Sequence, residues 1–391
     1  MSNQKRFNGE WETKRLGDIA LIRNQKVLST NVDPNTPCVE LEHLGSGNGQ
    51  LLEHATAENS TSSKYRFFAG DVLFGRLRSY LRKFWLSDQD GICTTEIWPL
   101  MVDTKQLDSG FLHAIVQSDQ FFAMASISYG THMPRTDWGV MRNFPIMLPP
   151  IPEQRAIAEV LSDVDRLLNA LEALISKKRA IKQTTMQQLL TGKTRLPGFS
   201  GAWETKRLGD VAHIKTGSKN NEDKDENGQY PLFVRSAIVE RINSYCYDGE
   251  AILVPGEGGI ENIFHYINGR FDCHQRVYVI NRFANDVFGK LIYYIMVLQF
   301  GKHAMQNTVK ATVDSLRLPT FQTFSFSIPK DVAEQRAIAA VLSDMDAEIT
   351  ALEQRRDKTI AIKQGMMQQL LTGRVRLSES RICTDNTDDA D

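Results

Sequence analysis

One long stretch occurs twice in the sequence, and this repeat limits what the chain can fold into. Residues 153–196 return as residues 334–377, a shift of 334 − 153 = 181 positions. Each copy opens with Glu-Gln-Arg-Ala-Ile-Ala and contains Gln-Gln-Leu-Leu-Thr-Gly near its end. A repeat of this length indicates a repeated structural element, so we expect the chain to consist of two similar halves.

Both copies have the apolar spacing of a long helix. Apolar residues alternate at steps of three and four, which is typical of a coiled-coil seam. About 40 helical residues with a rise of about 1.5 Å each would make a rod of about 60 Å. Gly192 and Gly373 are expected to end the helices in the left-handed conformation. The predicted seam consists of Ile157, Leu161, Val164, Leu168, Leu171 and Ile175 in the first copy and Ile338, Leu342, Met345, Ile349 and Leu352 in the second.

A shorter repeat precedes each long one. Residues 11–20 return as residues 203–212, so the chain alternates globular domain, helix, globular domain, helix. Short apolar strands, turn residues and helical patterns alternate in both domains, which predicts an α+β fold with two mixed α/β domains. We expect helices over 107–129 and 288–299 and strands near 251–254 and 276–280. The predicted boundaries are domain 1–150, helix 151–196, domain 197–328, helix 329–377 and a disordered acidic tail 378–391.

This order of elements has a geometric consequence. The apolar face of each helix is too narrow to form a core by itself, so the obvious partner is the other copy. If the two helices pack as an antiparallel coiled coil, the domains lie at opposite ends and are related by a pseudo-two-fold axis. Duplex DNA offers two separated half-sites to such a frame. Because the domains differ in sequence, the two half-sites should differ as well.

Composition narrows the class of protein. The 391 residues are 41% hydrophobic and 24% charged, as in a soluble globular protein, and the net charge is −1. The longest apolar run, 291–298, is too short to cross a membrane, and no membrane contact or secretory signal is expected. The five cysteines lack CxxC spacing, which predicts reduced thiols in a cytoplasmic protein. Any DNA-binding surface must therefore come from local clusters of charge.

The strongest candidate for DNA contact is the segment 74–85. Its basic residues lie among aromatic ones, a mixture that can contact phosphates, guanine edges and sugars. A second candidate is the loop 131–138, which has a counterpart near residue 307 in the second domain. The alternatives are a solvated pair of basic strands and surface loops without a ligand. The candidates are Arg76, Arg78, Tyr80, Arg82, Lys83, His132 and Arg135 in the first domain and Asn307, Thr308 and Lys310 in the second.

Catalytic motifs are missing from the sequence. The segment 191–194 resembles the end of a phosphate-binding loop, but Gln187 stands where that motif needs glycine. No methyltransferase tetrad or glycine-rich cofactor loop is present. His265, Cys273 and His274 have irregular spacing, so no metal ligand is assigned. We predict no catalytic residue and no metal, and infer that the chain brings two sites to the active centre of another protein.

These motifs together resemble a known family. The helix opening at 149–165, the Gln-Gln-Leu-Leu-Thr-Gly ending, the duplicated layout and residues 70–83 and 90–96 resemble specificity subunits of type I restriction-modification systems. The resemblance implies two target recognition domains, each reading one half of a bipartite asymmetric site in double-stranded DNA, with the coiled coil setting the spacer. Two modification subunits and the restriction subunits would be partners. S-adenosylmethionine, ATP and Mg²⁺ would be bound by those partners, and no cofactor by this chain.

The second domain departs from the pattern of the first. It lacks the arginine-rich segment of residues 74–85, so we add Arg270 and Arg276 to its candidate DNA contacts. Two other functions remain open. The chain could be a scaffold whose coiled coil only assembles proteins, or a fused restriction enzyme with its own nuclease, which the missing motifs disfavour.

Overall fold

The computed structural model describes residues 9–59, 62–129, 133–258, 263–307 and 315–377. The chain forms two compact units. The first consists of Met1–Ala173 with Gln354–Asp391, and the second of Leu174–Glu353. Both divisions fall inside a long helix, so each unit contains one domain and one half of each long helix.

The first unit is a mixed α/β structure with two main sheets. One has the strand order β2-β10-β7-β8 and the other β3-β6-β9-β4-β5, while β1 pairs with β13 and β11 with β12. The strands are β1 Glu12–Arg15, β2 Ala20–Ile22, β3 Lys26–Leu28, β4 Pro37–Val39, β5 Ala55–Thr56, β6 Ser63–Phe67, β7 Val72–Gly75, β8 Phe84–Leu86, β9 Gly91–Thr94, β10 Ile97–Val102, β11 Ser128–Tyr129, β12 Arg135–Thr136 and β13 Pro145–Leu148. The helices are α1 Leu16–Ile19, α2 Ser109–Val116, α3 Asp119–Ala125, α4 Trp138–Met141 and the long α5 Ile151–Leu189.

The second unit is built in the same style around one larger sheet. This sheet has the order β15-β20-β18-β19-β16-β17, and β14 pairs with β21. The strands are β14 Trp203–Arg207, β15 His213–Thr216, β16 Tyr230–Phe233, β17 Val239–Ile242, β18 Tyr247–Pro255, β19 His265–Cys273, β20 Val277–Asn281 and β21 Ser325–Pro329. The helices are α6 Leu208–Val211, α7 Gly289–Asn307, α8 Leu318–Gln322 and the long α9 Val332–Leu370. The predicted α+β class is confirmed.

The two long helices match the prediction closely. Each has 39 residues: α5 begins at the predicted residue 151, α9 begins three residues after the predicted 329, and both end seven residues before the predicted ends. Gly192 and Gly373 follow the helix ends with φ of +70° and +67°, the left-handed stop predicted from the sequence. A side chain at Gly373 would meet the ring of Trp11 at 3.2 Å, and one at Gly192 would meet Trp203 at 3.5 Å. Glycine therefore suits both the dihedral angle and the close approach.

Within each unit, the halves of the two long helices pack antiparallel. In the first unit, Ile157 and Leu161 from the start of α5 share a core with Met367 and Leu370 from the end of α9. In the second unit, Ile338 and Leu342 from the start of α9 share a core with residues at the end of α5: Met186, Leu189 and Leu190.

The predicted seam residues are buried or partly buried, and those nearest the helix starts also belong to the domain cores, which the sequence did not show. Leu171, Ile175 and Ile349 are buried, and the remaining seam residues are partly buried: Val164, Leu168, Met345 and Leu352. The four residues nearest the helix starts are buried in the cores of the globular domains as well as against the other helix. Each long helix is therefore part of a domain core for about its first three turns.

The repeated Glu-Gln at each helix start connects the helix to its domain. Gln154 and Gln335 are fully buried, and each accepts one backbone N–H bond and donates to two backbone carbonyls. The bonds of Gln154 join Asp108 N at 2.8 Å, Gln106 O at 2.9 Å and Pro149 O at 2.8 Å. Those of Gln335 join Phe288 N at 2.7 Å, Asp286 O at 2.9 Å and Pro329 O at 2.8 Å. The motif satisfies backbone groups that would otherwise be buried without partners.

The neighbouring glutamates receive an arginine from the other helix's C-terminal extension. Arg376 donates to Glu153 at 2.6 and 3.1 Å, and Arg195 donates to Glu334 through two bonds of 2.6 Å. Each bidentate contact lies inside one unit. Because both glutamates are buried, each needs this paired charge.

The helical prediction over 107–129 is confirmed only in part, because two helices form there and Ser128–Tyr129 is a strand. The segment forms α2 and α3, which are separated at Gln117 and Ser118, and the Ser118 hydroxyl caps α3 by accepting from Phe121 N at 3.2 Å. Local capping chemistry thus interrupts the apolar pattern. The helix predicted over 288–299 is longer, ending at Asn307, and the strands predicted near 251–254 and 276–280 lie within or overlap β18 and β20.

Candidate nucleic-acid interface

The arginine-rich segment of the first domain forms a tight turn between two strands. β7 ends at Gly75 and β8 begins at Phe84, and a 3₁₀ turn spans Ser79–Leu81. Arg78 and Arg82 flank this turn with φ of 52° and 50°. L-residues adopt this left-handed region at a cost of about 1 kcal/mol or more, so packing around the turn must impose it. The segment is a structured loop rather than a pair of solvated basic strands.

Three of the basic residues predicted here have partners inside the domain. Lys83 donates to the backbone carbonyls of Leu41 at 2.6 Å and Leu44 at 2.9 Å. Arg82 donates to Asp119 at 2.5 Å. The Arg76 guanidinium lies 5.3 Å from the centroid of the Trp98 ring. These contacts attach the turn to the domain, and they occupy hydrogen-bond donors of Lys83 and Arg82.

Arg78 and Tyr80 occupy the exposed side of the same turn. The Tyr80 side chain is 64% exposed. The Arg78 side chain is exposed, and within the portion of the chain that the structure describes it has no hydrogen-bond or ion-pair partner. Of the predicted residues on the turn, these two are the best placed to contact a macromolecule.

Arg135 is close to this turn and carries a bidentate ion pair. It donates to Glu96 through three contacts of 2.8, 3.0 and 3.1 Å. These hydrogen bonds, followed by the charge of Glu96, raise the pKa of Arg135. The backbone of Arg135 forms a bridge with Leu77, which places the pair beside the turn. The other residue predicted on this loop, His132, lies outside the described residues.

The candidates of the second domain are only partly described. Arg270 donates to Asp248 at 2.9 Å, and this hydrogen bond is the largest cause of its raised pKa. Arg276 forms an ion pair with Glu257. Asn307 is the last residue of α7. Thr308 and Lys310 lie outside the described residues, so their predicted DNA contact stays a prediction.

The same backbone contacts recur within each of the two domains, and they show which positions match. Arg76 N donates to Glu96 O at 2.9 Å, and Gly256 N donates to Arg276 O at 2.8 Å. Thr136 N donates to Arg76 O at 2.9 Å, and Leu316 N donates to Gly256 O at 2.8 Å. The bridge Leu77 to Arg135 recurs as Glu257 to Ser315. Each position is shifted by the same amount (256 − 76 = 180), so Arg276 occupies the place of Glu96 and Glu257 the place of Leu77.

This correspondence reveals a residue that the sequence analysis missed. Arg235 donates to Glu257 at 3.2 Å, so one carboxylate binds two arginines in the second domain. The shift of 180 differs from the shift of 181 between the long helices and from that of 192 between residues 11–20 and 203–212, so the repeats alone did not show it. This shift aligns Arg276 with Glu96, but it does not identify Arg235, which lies near Glu257 only in the folded structure.

Other site types receive no support from the geometry. Among the residues described, no group of three or more His, Cys, Asp or Glu side chains is arranged to hold a metal ion. None of the helices searched in the described ranges is long and apolar enough to span a membrane.

Two similar domains with different exposed arginine clusters define a duplicated recognition protein. A family model described as "Type I restriction modification DNA specificity domain" matches residues 8–183 and again 201–361. The chain therefore belongs to the type I restriction-modification specificity family, which confirms the resemblance seen in its motifs.

Individual relatives agree with this membership. The chain is 23% identical over 405 residues to the type I restriction enzyme MjaVIII specificity subunit of Methanocaldococcus jannaschii, covering 94% of this chain and 93% of the relative. It is 28% identical over 170 residues to the EcoDI specificity subunit of Escherichia coli, covering 44% of this chain and 37% of that protein. The fold is similar to a crystal structure of the S subunit from M. genitalium, with a TM-score of 0.68, 16% identity and coverage of 95% and 97%.

Proposed function

We propose that this chain is the non-catalytic subunit that selects the DNA site in a type I restriction-modification complex. Each domain reads one half of a bipartite asymmetric site, and the paired long helices set the spacer. Two modification subunits methylate adenine within the site, and restriction subunits join them for ATP-dependent cleavage. S-adenosylmethionine, ATP and Mg²⁺ belong to those partners.

The observation that carries the proposal is the match of the specificity-domain model to both halves of the chain, combined with the divergence of their surfaces. The framework contacts recur in both units: buried glutamine, paired glutamate and arginine, glycine stop. The exposed arginine clusters do not recur. Similar frameworks with different surfaces suit two readers of unlike half-sites, because hydrogen bonds to base edges depend on the side chains presented.

The first experiment tests the recognition of DNA. The full chain is expressed with its modification subunits in a host without other adenine methyltransferases, and methylated adenines are mapped by sequencing. We expect one two-part motif with unlike halves and a constant spacer. The control expresses the modification subunits alone and should give no motif. A motif that is independent of this chain, or the absence of any partner-dependent DNA binding, would favour the scaffold function instead.

The second experiment tests the spacer. Deleting residues 168–174 and 349–355 removes one heptad from each helix at matched positions, since 168 + 181 = 349. Seven residues correspond to about 10.5 Å of helix, or about three base pairs of duplex. We expect methylation to move to sites with a shorter spacer while both half-sites keep their sequences. Deletion from one helix alone is the control, and it should abolish modification because the helix faces lose their match. A double deletion that retains the parental spacer would contradict the proposal.

A further inference from the structure

A cleft in the second unit is organised around Glu257. It has a volume of about 550 Å³ and is lined by Asn221, Lys224, Arg235, Ser236, Glu240 and Glu257. We call it the Glu257 cleft. Gly256, the residue before Glu257, corresponds in its backbone contacts to Arg76 at the base of the exposed turn of the first domain. The cleft therefore occupies the framework position at which the first domain presents its arginine-rich turn.

The carboxylate of Glu257 orients two guanidinium groups. Arg235 Nη1 donates to one oxygen at 3.2 Å, and Arg276 Nη1 donates to the other. Glu257 is 23% exposed, whereas the two arginine side chains are 41% and 54% exposed. Within the described ranges, neither guanidinium group makes a hydrogen bond to another residue, and the backbone N–H of Arg276 donates to His274 Nδ1 at 3.0 Å. Each therefore retains donors for a ligand while its direction is fixed by the shared carboxylate.

The lining residues Lys224 and Arg235 together with Arg276 give three positive charges against the two carboxylates of Glu240 and Glu257. Two arginines face one glutamate, and Lys224 is balanced by Glu240 at 3.6 Å. Burial lowers the pKa of the nearby His274, and the positive charges of Arg235 and Arg276 lower it further. These positive charges favour a polyanionic ligand that carries hydrogen-bond acceptors.

We propose that Arg235 and Arg276, oriented by Glu257, read guanine edges in the half-site recognised by the second domain. An arginine fork matches the O6 and N7 acceptors of guanine, and specific readout requires a fixed direction of the donors. A shared carboxylate provides that direction. The inference rests on the proposed function of the chain as a DNA specificity subunit, and it adds Arg235 to the residues that determine the sequence read.

The test uses the full chain in complex with its modification subunits and maps methylation in a library of randomised duplexes. Arg235→Ala and Arg276→Ala are each expected to lose about 5- to 150-fold discrimination at one base pair of the second domain's half-site. The other half-site should be unchanged. Arg207→Ala, which removes an exposed arginine of the same unit outside the cleft, is the matched control and should keep both half-sites.

A second variant separates a reader from a structural residue or a phosphate contact. Arg235→Lys keeps the charge but lacks the planar fork, so it should relax the same base pair while binding random duplex as tightly as the parent. Full specificity in Arg235→Lys and Arg235→Ala would overturn the inference, and so would uniform weakening at all sequences with a smaller dependence on salt. If the unmodified complex shows no two-part motif, the proposed function fails. If it shows one that the cleft variants leave unchanged, only this inference fails.

Discussion

The first domain carries a bidentate ion pair between Arg135 and Glu96, whereas the second places Arg276 at the position of Glu96 and Glu257 at the position of Leu77. The same backbone contacts thus support opposite charges at matched positions. On the long helices, Asp165 pairs with Lys363 in one unit and Asp346 with Lys182 in the other. The framework between helix and domain is therefore shared by the two units, while the side chains at the matched surface positions differ.

The largest effect that would test this shared framework comes from the buried glutamines. Gln154→Met and Gln335→Met keep the volume but remove three hydrogen bonds each, leaving buried backbone groups unpaired. We expect each variant to lower the free energy of unfolding by about 2–4 kcal/mol. Urea denaturation of the full chain measures the loss. The exposed Gln183→Met serves as the control and should change stability by less than about 0.5 kcal/mol. A loss of stability in only one of the two variants would show that the glutamines do not play the same role in the two units.

Acid stability should distinguish the two units at the fifth residue of α2 and of α7. Burial lowers the pKa of His113 to about 4. Because the folded-state pKa is below the unfolded value of about 6.5, the unfolded chain binds the proton more readily, and stability is lost as the pH falls from about 6.5 to 4. The loss is on the order of 3 kcal/mol. The matched position, 113 + 180 = 293, is Tyr293, which has a raised pKa and takes up no proton in this window.

His113→Phe should therefore remove part of the acid sensitivity, whereas Tyr293→Phe should leave the pH profile unchanged. Urea unfolding between pH 7 and 4 gives the comparison. If the free energy of unfolding falls with pH as steeply in His113→Phe as in the parent chain, His113 is not the cause of the acid sensitivity.

A smaller effect is expected at the helix stops. Gly192→Ala and Gly373→Ala both force alanine into the left-handed region, at a cost of about 1–2 kcal/mol. The alanine at position 373 would also meet Trp11 at 3.2 Å, so it should cost more than the one at 192, which has 3.5 Å to Trp203. Thermal melting of the full chain would rank the two variants. The reverse order would show that the Trp11 ring moves aside more readily than the Trp203 ring.

The smallest effect on stability is expected at the exposed turn. Arg78→Ala removes an exposed side chain without a hydrogen-bond or ion-pair partner in the described part of the domain, so the free energy of unfolding should change by less than about 0.5 kcal/mol. Arg78→Gly should stabilise slightly, since glycine adopts the positive φ without strain. If the first domain reads DNA with this turn, both variants should relax its half-site while leaving the other unchanged. Methylation mapping would check this, and intact specificity would remove Arg78 from the interface.

Much of the framework was readable from the sequence because its signals are local. The spacing of Ile157 and Leu161 and the glycine stops depend on neighbouring residues, and the repeated motifs are recognised by their sequence identity alone. The break between α2 and α3 was missed because the cap of Ser118 competes with an apolar pattern that continues across it. The candidate interface was less predictable. Whether Lys83 faces solvent depends on the carbonyls of Leu41 and Leu44, which are distant in sequence.

The duplication, the two long helices and the family could be read from the order of amino acids, since periodicity and repeats record the interactions of nearby residues. Which basic residues have partners inside the domain and which are exposed depends on the three-dimensional fold. Arg82 and Lys83 have partners inside the domain, whereas the side chains of Arg78 and Tyr80 are exposed. Arg235 pairs with Glu257 although the two residues lie in different connections between strands. Charge pairing between distant residues is set by the packing of sheets and loops, which no local pattern encodes.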